Sequence, residues 1–228
     1  MQAIVLAGGF GTRLKKVVAD LPKPMAPIGQ RPFLEIVLRF LEQSRFDRTV
    51  LSLGYMADKI IGHFGSRYGS MELTYVVEDT PLGTGGAVRL AMEQCSQDHV
   101  FVFNGDTYLD LDVAAVESQW QARRKPIIVG RIVPDRERYG SLLTAANEVT
   151  GFAEKGMSGP GLINAGCYVL NKDLLNGFKV NQPFSLENDY LAPAVLKTPF
   201  DLFVTDGHFI DIGVPEDYER AQTELAER

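Results

Sequence analysis

The chain has 228 residues, 45% of them hydrophobic, and a formal net charge of −6; this suits one domain with a sizeable core and, with no Lys/Arg run, speaks against a nucleic-acid surface. The two cysteines, Cys95 and Cys167, stand far apart among apolar neighbours, which argues against a zinc pattern or a disulfide framework and fits a reducing cytoplasm. No apolar stretch approaches the ~20 residues of a membrane span, so no membrane partner is expected, and the first residues read as a strand rather than a secretion signal.

In chain order, residues 3–6 form a short apolar run that ends in Gly8-Gly9-Phe10-Gly11-Thr12-Arg13, as a buried parallel strand runs into a tight loop. Residues 33–41 are densely apolar and predict a helix, with Pro32 at its first position. A strand over 49–53, a helix over 56–65 and a strand over 73–77 follow. The last delivers Glu78-Asp79 and a second glycine loop, Pro81 to Gly86, from which a helix runs to residue 92 with Thr84 as its cap. A strand over 99–103 leads to Asn104-Gly105-Asp106. This strand–helix alternation predicts an α/β fold, a Rossmann-like, mainly parallel sheet flanked by helices. In such sheets ligands sit beyond the carboxyl ends of the strands, so the loops at 8–13, 78–86 and 104–106 should line one crevice.

Beyond residue 111 come a helix over 112–124 and a strand over 126–133. From 139 to 170 short runs separated by Gly and Asn predict a small antiparallel β half-lid. A helix should begin at 185, strands at 202–204 and 208–210 should deliver Asp211-Ile212-Gly213, and a last helix should start at Pro215.

Three glycines in four positions let backbone N–H groups turn toward an anion, with Arg13 and Lys23 adding positive charge. The loop is not a P-loop, which needs Gly-Lys-Ser/Thr, and it lacks the third glycine of the dinucleotide fingerprint. A plain turn between strand and helix remains the other reading of the glycines alone.

The run Leu6-Ala7-Gly8-Gly9-Phe10-Gly11-Thr12-Arg13-Leu14, followed by Pro22-Lys23-Pro24, resembles the signature of the sugar nucleotidyltransferases, the sugar-1-phosphate pyrophosphorylases. The resemblance implies one nucleotidyltransferase domain over 1–228, with a nucleotide-binding half to residue 110 and a sugar-phosphate half after it. No C-terminal β-helix is expected. It implies transfer of a nucleotidyl group from an NTP to a sugar 1-phosphate, with Mg²⁺ held by Asp106 and Asp211. Arg13 and the amides of the first loop would meet the β- and γ-phosphates, and Lys23 the α-phosphate. Leu6, Ala7, Gly8, Gly9, Gly11, Thr12, Glu78, Pro81, Leu82, Gly83, Thr84 and Gly105 complete the expected nucleotide site. Glu154 would contact sugar hydroxyls and Lys155 the sugar phosphate, beside Tyr139-Gly140 and an Asn164-Ala165-Gly166 turn.

Glu78 bears on the base. One carboxylate can accept the adjacent N1–H and N2–H₂ donors of guanine, a pair that uracil, thymine and cytosine do not offer. The other reading is a capping or solvent-facing Glu78. The run from Glu78 to Ala87, with the short chain, most resembles the D-glycero-α-D-manno-heptose 1-phosphate guanylyltransferases, which make GDP-heptose for capsule or surface-layer polysaccharide. Mannose-1-phosphate guanylyltransferases and short uridylyltransferases have similar loops. A non-catalytic nucleotide-sugar-binding regulatory protein is the rival of a different class, and a homodimer is left open.

Overall fold

The computed structural model of the protein describes residues 1–9, 20–153 and 156–226. The chain forms β1 (Gln2–Leu6), a 3-10 turn at Lys23–Met25, a hairpin of β2 (Pro27–Ile28) and β3 (Arg31–Pro32), α1 (Phe33–Gln43), β4 (Arg48–Leu53), α2 (Ala57–Phe64), β5 (Arg67–Tyr68), β6 (Met71–Val77), α3 (Gly83–Met92) and β7 (His99–Asn104). It continues through β8 (Thr107–Leu109), α4 (Val113–Arg123), β9 (Ile127–Val133), β10 (Ser141–Ala145), β11 (Glu148–Ala153) and β12 (Gly161–Asn171). A π-helical turn at Leu186–Leu191 runs into the short α5 (Ala192–Ala194), then come β13 (Phe200–Thr205), β14 (Phe209–Asp211) and α6 (Pro215–Glu224).

Among the described residues, ten strands form one sheet in the order β10-β11-β13-β9-β12-β7-β1-β4-β6-β5. β7, β1, β4 and β6 run parallel, whereas β12 is antiparallel to both β7 and β9. The antiparallel stretch expected after residue 139 is present, and it continues this sheet. The central strands are apolar on both faces because both are covered. Ala3, Val5, Phe101 and Phe103 point into a core with α1, α4 and α6, while Ile4, Val100 and Val102 point into one with α3 and the π turn. That alternation is the two-residue period of an extended chain.

Local chemistry sets the helix ends. Pro32 has φ −60 and ψ 144 and belongs to β3, so it precedes α1 instead of opening it; its extended backbone directs the chain into six buried residues of α1. Asp112 caps α4 by accepting the Ala115 N–H at 2.9 Å. Trp120 of α4 is buried and stacks on His99 of β7 with ring centroids 3.7 Å apart.

From β1 the chain steps outward to β4 and β6, then returns to the other side of β1 as β7. The β1/β7 boundary is therefore the switch point of the parallel half, where a crevice opens between loops that leave in opposite directions. A two-stranded ribbon of β8 with β14 lies beyond it and places Asp211 opposite Thr107. The Ile212 N–H donates to the Asp106 carbonyl at 2.9 Å. Two aspartates distant in sequence thus arrive side by side.

Candidate active site

Two cavities meet at the carboxyl ends of β1 and β7. The first, about 520 Å³, is lined by Leu6, Gly8 and Gly9 after β1, Ser52, Gly54 and Tyr55 after β4, Glu78, Asp79, Pro81, Gly83 and Thr84 after β6, and Asn104 and Asp106 after β7. The second, about 890 Å³, holds Thr107, Arg138, Tyr139, Gly140, Asn164, Gly166, Tyr168, Glu187, Asp211 and Asp217 among its walls. Asn104 belongs to both. Volumes of this order suit small-molecule ligands.

Of the residues singled out in the sequence, Leu6, Gly8, Gly9, Glu78, Pro81, Gly83, Thr84 and Asp106 line the first cavity. Tyr139, Gly140, Asn164, Gly166 and Asp211 line the second. Ala7 and Leu82 are buried behind the wall, and Gly105 ties β7 to β1 by donating its N–H to the Leu6 carbonyl at 2.9 Å. Gly11, Thr12, Arg13, Glu154 and Lys155 lie outside the described residues. Sequence reasoning passed over Ser52, Tyr55, Arg138, Glu187 and Asp217. Arg138 carries a local signal, since it directly precedes Tyr139-Gly140, and its Nη2 donates to the buried Asp217 carboxylate at 2.7 Å.

Three expectations change in detail. Asn164-Ala165-Gly166 is not a turn but a bulge inside β12, where the register with β9 shifts between Asn164 and Tyr168. Gly166 has φ +69 there, and a Cβ on it would stand 2.3 Å from Asn104 Nδ2, so the residue must be glycine for the Asn104 side chain to enter. Thr84 does not cap α3, which begins at Gly83 after Leu82 without a side-chain cap. Its hydroxyl faces the π turn instead, accepting from the Leu186 N–H at 2.9 Å. The glycines of the second loop also have a packing reason. A Cβ on Gly85 would come within 2.2 Å of the Phe184 ring, and one on Gly86 within 2.5 Å of the Gln182 carbonyl oxygen. The loop is glycine-rich because residues 182–186 lie directly against it.

Glu78 does cap the loop. Its Oε2 accepts the Leu82 N–H at 2.8 Å and its Oε1 the Ser52 hydroxyl at 3.3 Å. Each carboxylate oxygen retains acceptor capacity toward a ligand.

The charge balance centres on Lys23, whose Nζ lies 2.5 Å from Asp106 Oδ2. The 3-10 turn buries Pro24 and Met25 and leaves the Lys23 side chain only 12% exposed. Burial pushes the Asp211 carboxyl above its usual range, and the neighbouring Asp106 carboxylate pushes it the same way; Lys23 and the Gly213 N–H act against both. Among the described residues Lys23 acts on both carboxylates, and the burial and like charge that disfavour the Asp211 carboxylate are what a bound cation would relieve. Among the described residues no group of three or more His, Cys, Asp or Glu could hold a metal. A hard cation bound by Asp106 and Asp211 would draw its other ligands from substrate phosphates and water, as Mg²⁺ does. The donor set fits that ion.

The sequence profile of the nucleotidyl transferase family matches residues 2–228. The chain belongs to that family. It is 38% identical over 226 residues to the D-glycero-alpha-D-manno-heptose 1-phosphate guanylyltransferase of Aneurinibacillus thermoaerophilus, covering 99% of this chain and 98% of that protein. The Mycobacterium tuberculosis mannose-1-phosphate guanylyltransferase is 30% identical, and the match covers 99% of this chain but 64% of that protein. Among solved structures, HddC from Yersinia pseudotuberculosis complexed with GMP-PN is 39% identical with a TM-score of 0.88, over 98% of this chain and 99% of that one. The nucleotidyltransferase family thus has here a member with both halves of the paired cavity, and no helix among its described residues is long and apolar enough to cross a membrane.

Proposed function

We propose that the protein transfers a guanylyl group from GTP to D-glycero-α-D-manno-heptose 1-phosphate, releasing pyrophosphate and GDP-heptose. The observation that carries this reading is the paired cavity, with Asn104 common to both parts, Asp106 on the wall of the first and Asp211 on the wall of the second. A near-full-length relative named for this reaction supports the choice of sugar and base. We assign the nucleotide to the first cavity and the sugar 1-phosphate to the second.

In the transfer, a sugar-phosphate oxygen attacks the α-phosphorus and pyrophosphate leaves, so two anions must be brought together. The chain's contribution is position and positive charge. Asp106 and Asp211 would hold Mg²⁺, which supplies charge to the phosphates. Lys23 moves from Asp106 to the α-phosphate, where negative charge builds. The backbone at Gly8–Gly9 approaches the phosphates, and Tyr139, Gly140 and Asn164 hold the sugar.

Pyrophosphate release measured for GTP, ATP, UTP and CTP against heptose, mannose and glucose 1-phosphates tests the proposal. The fastest pair should be GTP with heptose 1-phosphate. A best pair of GTP with mannose 1-phosphate would move the protein to the mannose branch, and no release from any pair would leave a nucleotide-sugar-binding protein.

Glu78 supplies a narrower test. Glu78→Gln should weaken the preference for GTP over UTP and CTP by at least about tenfold, since the carboxylate that accepts both guanine donors is gone. If kcat/KM ratios among the nucleotides stay as in the wild type, Glu78 serves the loop alone.

A further inference from the structure

A chain of hydrogen bonds joins the two cavities through Glu187, a residue the proposed reaction has not yet used. The Thr84 hydroxyl, on the wall of the first cavity, donates to Glu187 Oε2 at 2.9 Å. Glu187 Oε1 accepts from the Tyr168 hydroxyl at 3.1 Å, and that hydroxyl accepts from Asn164 Nδ2 at 2.7 Å. Asn164 Oδ1 in turn accepts the Gly166 N–H at 3.1 Å. Every donor along this path points toward the Glu187 carboxylate, which ends it as acceptor from both sides. Bonds aligned in this way polarise one another.

The path is held rigidly at each end. Thr84 accepts from the Leu186 N–H and gives its proton to Glu187, so turning its side chain away would abandon both bonds. Segment 182–186 lies on the loop glycines, and the Gly85 N–H donates to the Phe184 carbonyl at 3.0 Å. Glu187 itself sits in a π-helical turn, a geometry that is rare and frequent at functional sites. Tyr168 is fully buried, and burial together with the Glu187 charge holds its hydroxyl well above the usual range, so it stays a donor.

Glu187 lines the second cavity, and its two oxygens have four acceptor positions, of which two are occupied among the described residues. We propose that Glu187 is a positioning and specificity residue: it accepts hydroxyl groups of the sugar 1-phosphate, and its bond to Thr84 makes sugar affinity depend on the loop that lines the nucleotide cavity. This rests on the assignment of the sugar to the second cavity. Asn164, with one amide proton on Tyr168 and the other unspent among the described residues, offers a donor next to the carboxylate acceptor, a pairing suited to a polyol.

The test compares Glu187→Gln, Thr84→Val, Thr84→Ser and the Glu187→Gln/Thr84→Val double variant, with KM measured separately for GTP and for the sugar 1-phosphate that the wild type uses best. Glu187→Gln should raise the sugar KM about tenfold and change the GTP KM less than about twofold. Thr84→Val, which conserves shape, should also raise the sugar KM although Thr84 faces the other cavity. The double variant should be no worse than Glu187→Gln alone, the mark of two groups acting as one, and Thr84→Ser should restore wild-type values. An unchanged sugar KM in Glu187→Gln, additive losses in the double variant, or equal loss in Thr84→Ser would each overturn the proposal. Wild-type turnover with GTP and heptose 1-phosphate reports on the proposed reaction separately. A wild type that prefers another sugar refutes that reaction while the KM comparison still decides Glu187; no turnover with any sugar removes both.

Discussion

Replacing Asp106 by asparagine should lower pyrophosphate release by at least about a hundredfold with the fold retained. Asparagine keeps the shape of the side chain but cannot neutralise a cation or hold Lys23 as an ion pair. The companion Asp211→Asn should lose activity comparably, and its melting temperature without metal should rise. Asp211 is buried beside the Asp106 carboxylate, so its charge opposes folding until a cation arrives; removing it trades function for stability. Turnover and thermal unfolding of both variants check this. Near-normal turnover in either one would take that aspartate out of the metal site, and an unchanged or lower melting temperature for Asp211→Asn would mean that its charge is already compensated.

Lys23→Met should be the second severe variant, with turnover down about a hundredfold or more. It should also show an opposite effect that activity alone cannot reveal. Lys23 donates to Asp106 Oδ2, so it competes with any cation for the same oxygen. Removing it should tighten binding of Mn²⁺ to the nucleotide-free protein, read by electron paramagnetic resonance. Methionine keeps the length and apolar stem of the side chain, so the buried turn at Pro24–Met25 should stay packed. If Mn²⁺ binding does not tighten, Lys23 and the cation do not share Asp106.

Much of this molecule could be read from local pattern. The parallel half announced itself because each strand is a mostly apolar run followed closely by glycine or acid, which is how a strand covered on both faces tends to look. Its consequence, three loops on one rim, followed from chain direction alone. Other features depend on contacts between distant segments. Pro32 looked like a helix opener because its φ suits that place; pairing with Pro27 in the β2–β3 hairpin decided otherwise. Thr84 had the right chemistry for a cap, but Leu186 and Glu187, a hundred positions away, took its hydroxyl. Asn164-Ala165-Gly166 has the composition of a turn, and only the resumed pairing at Tyr168 identifies a bulge. Glu187 carried no signal, since one glutamate at the start of a helical stretch looks like any other. The second glycine loop is expected from its sequence to line the nucleotide crevice; part of its composition answers to Phe184 and Gln182.

That last feature bears on redesign. The stretch from Pro81 to Gly86 is half of a mated pair, moulded to the segment that rests on it. Transplanting it alone into a scaffold with a different nucleotide preference would carry the mould without its cast, and the host would inherit a hollow where Phe184 belongs. A graft meant to change the base should move residues 182–187 along with it.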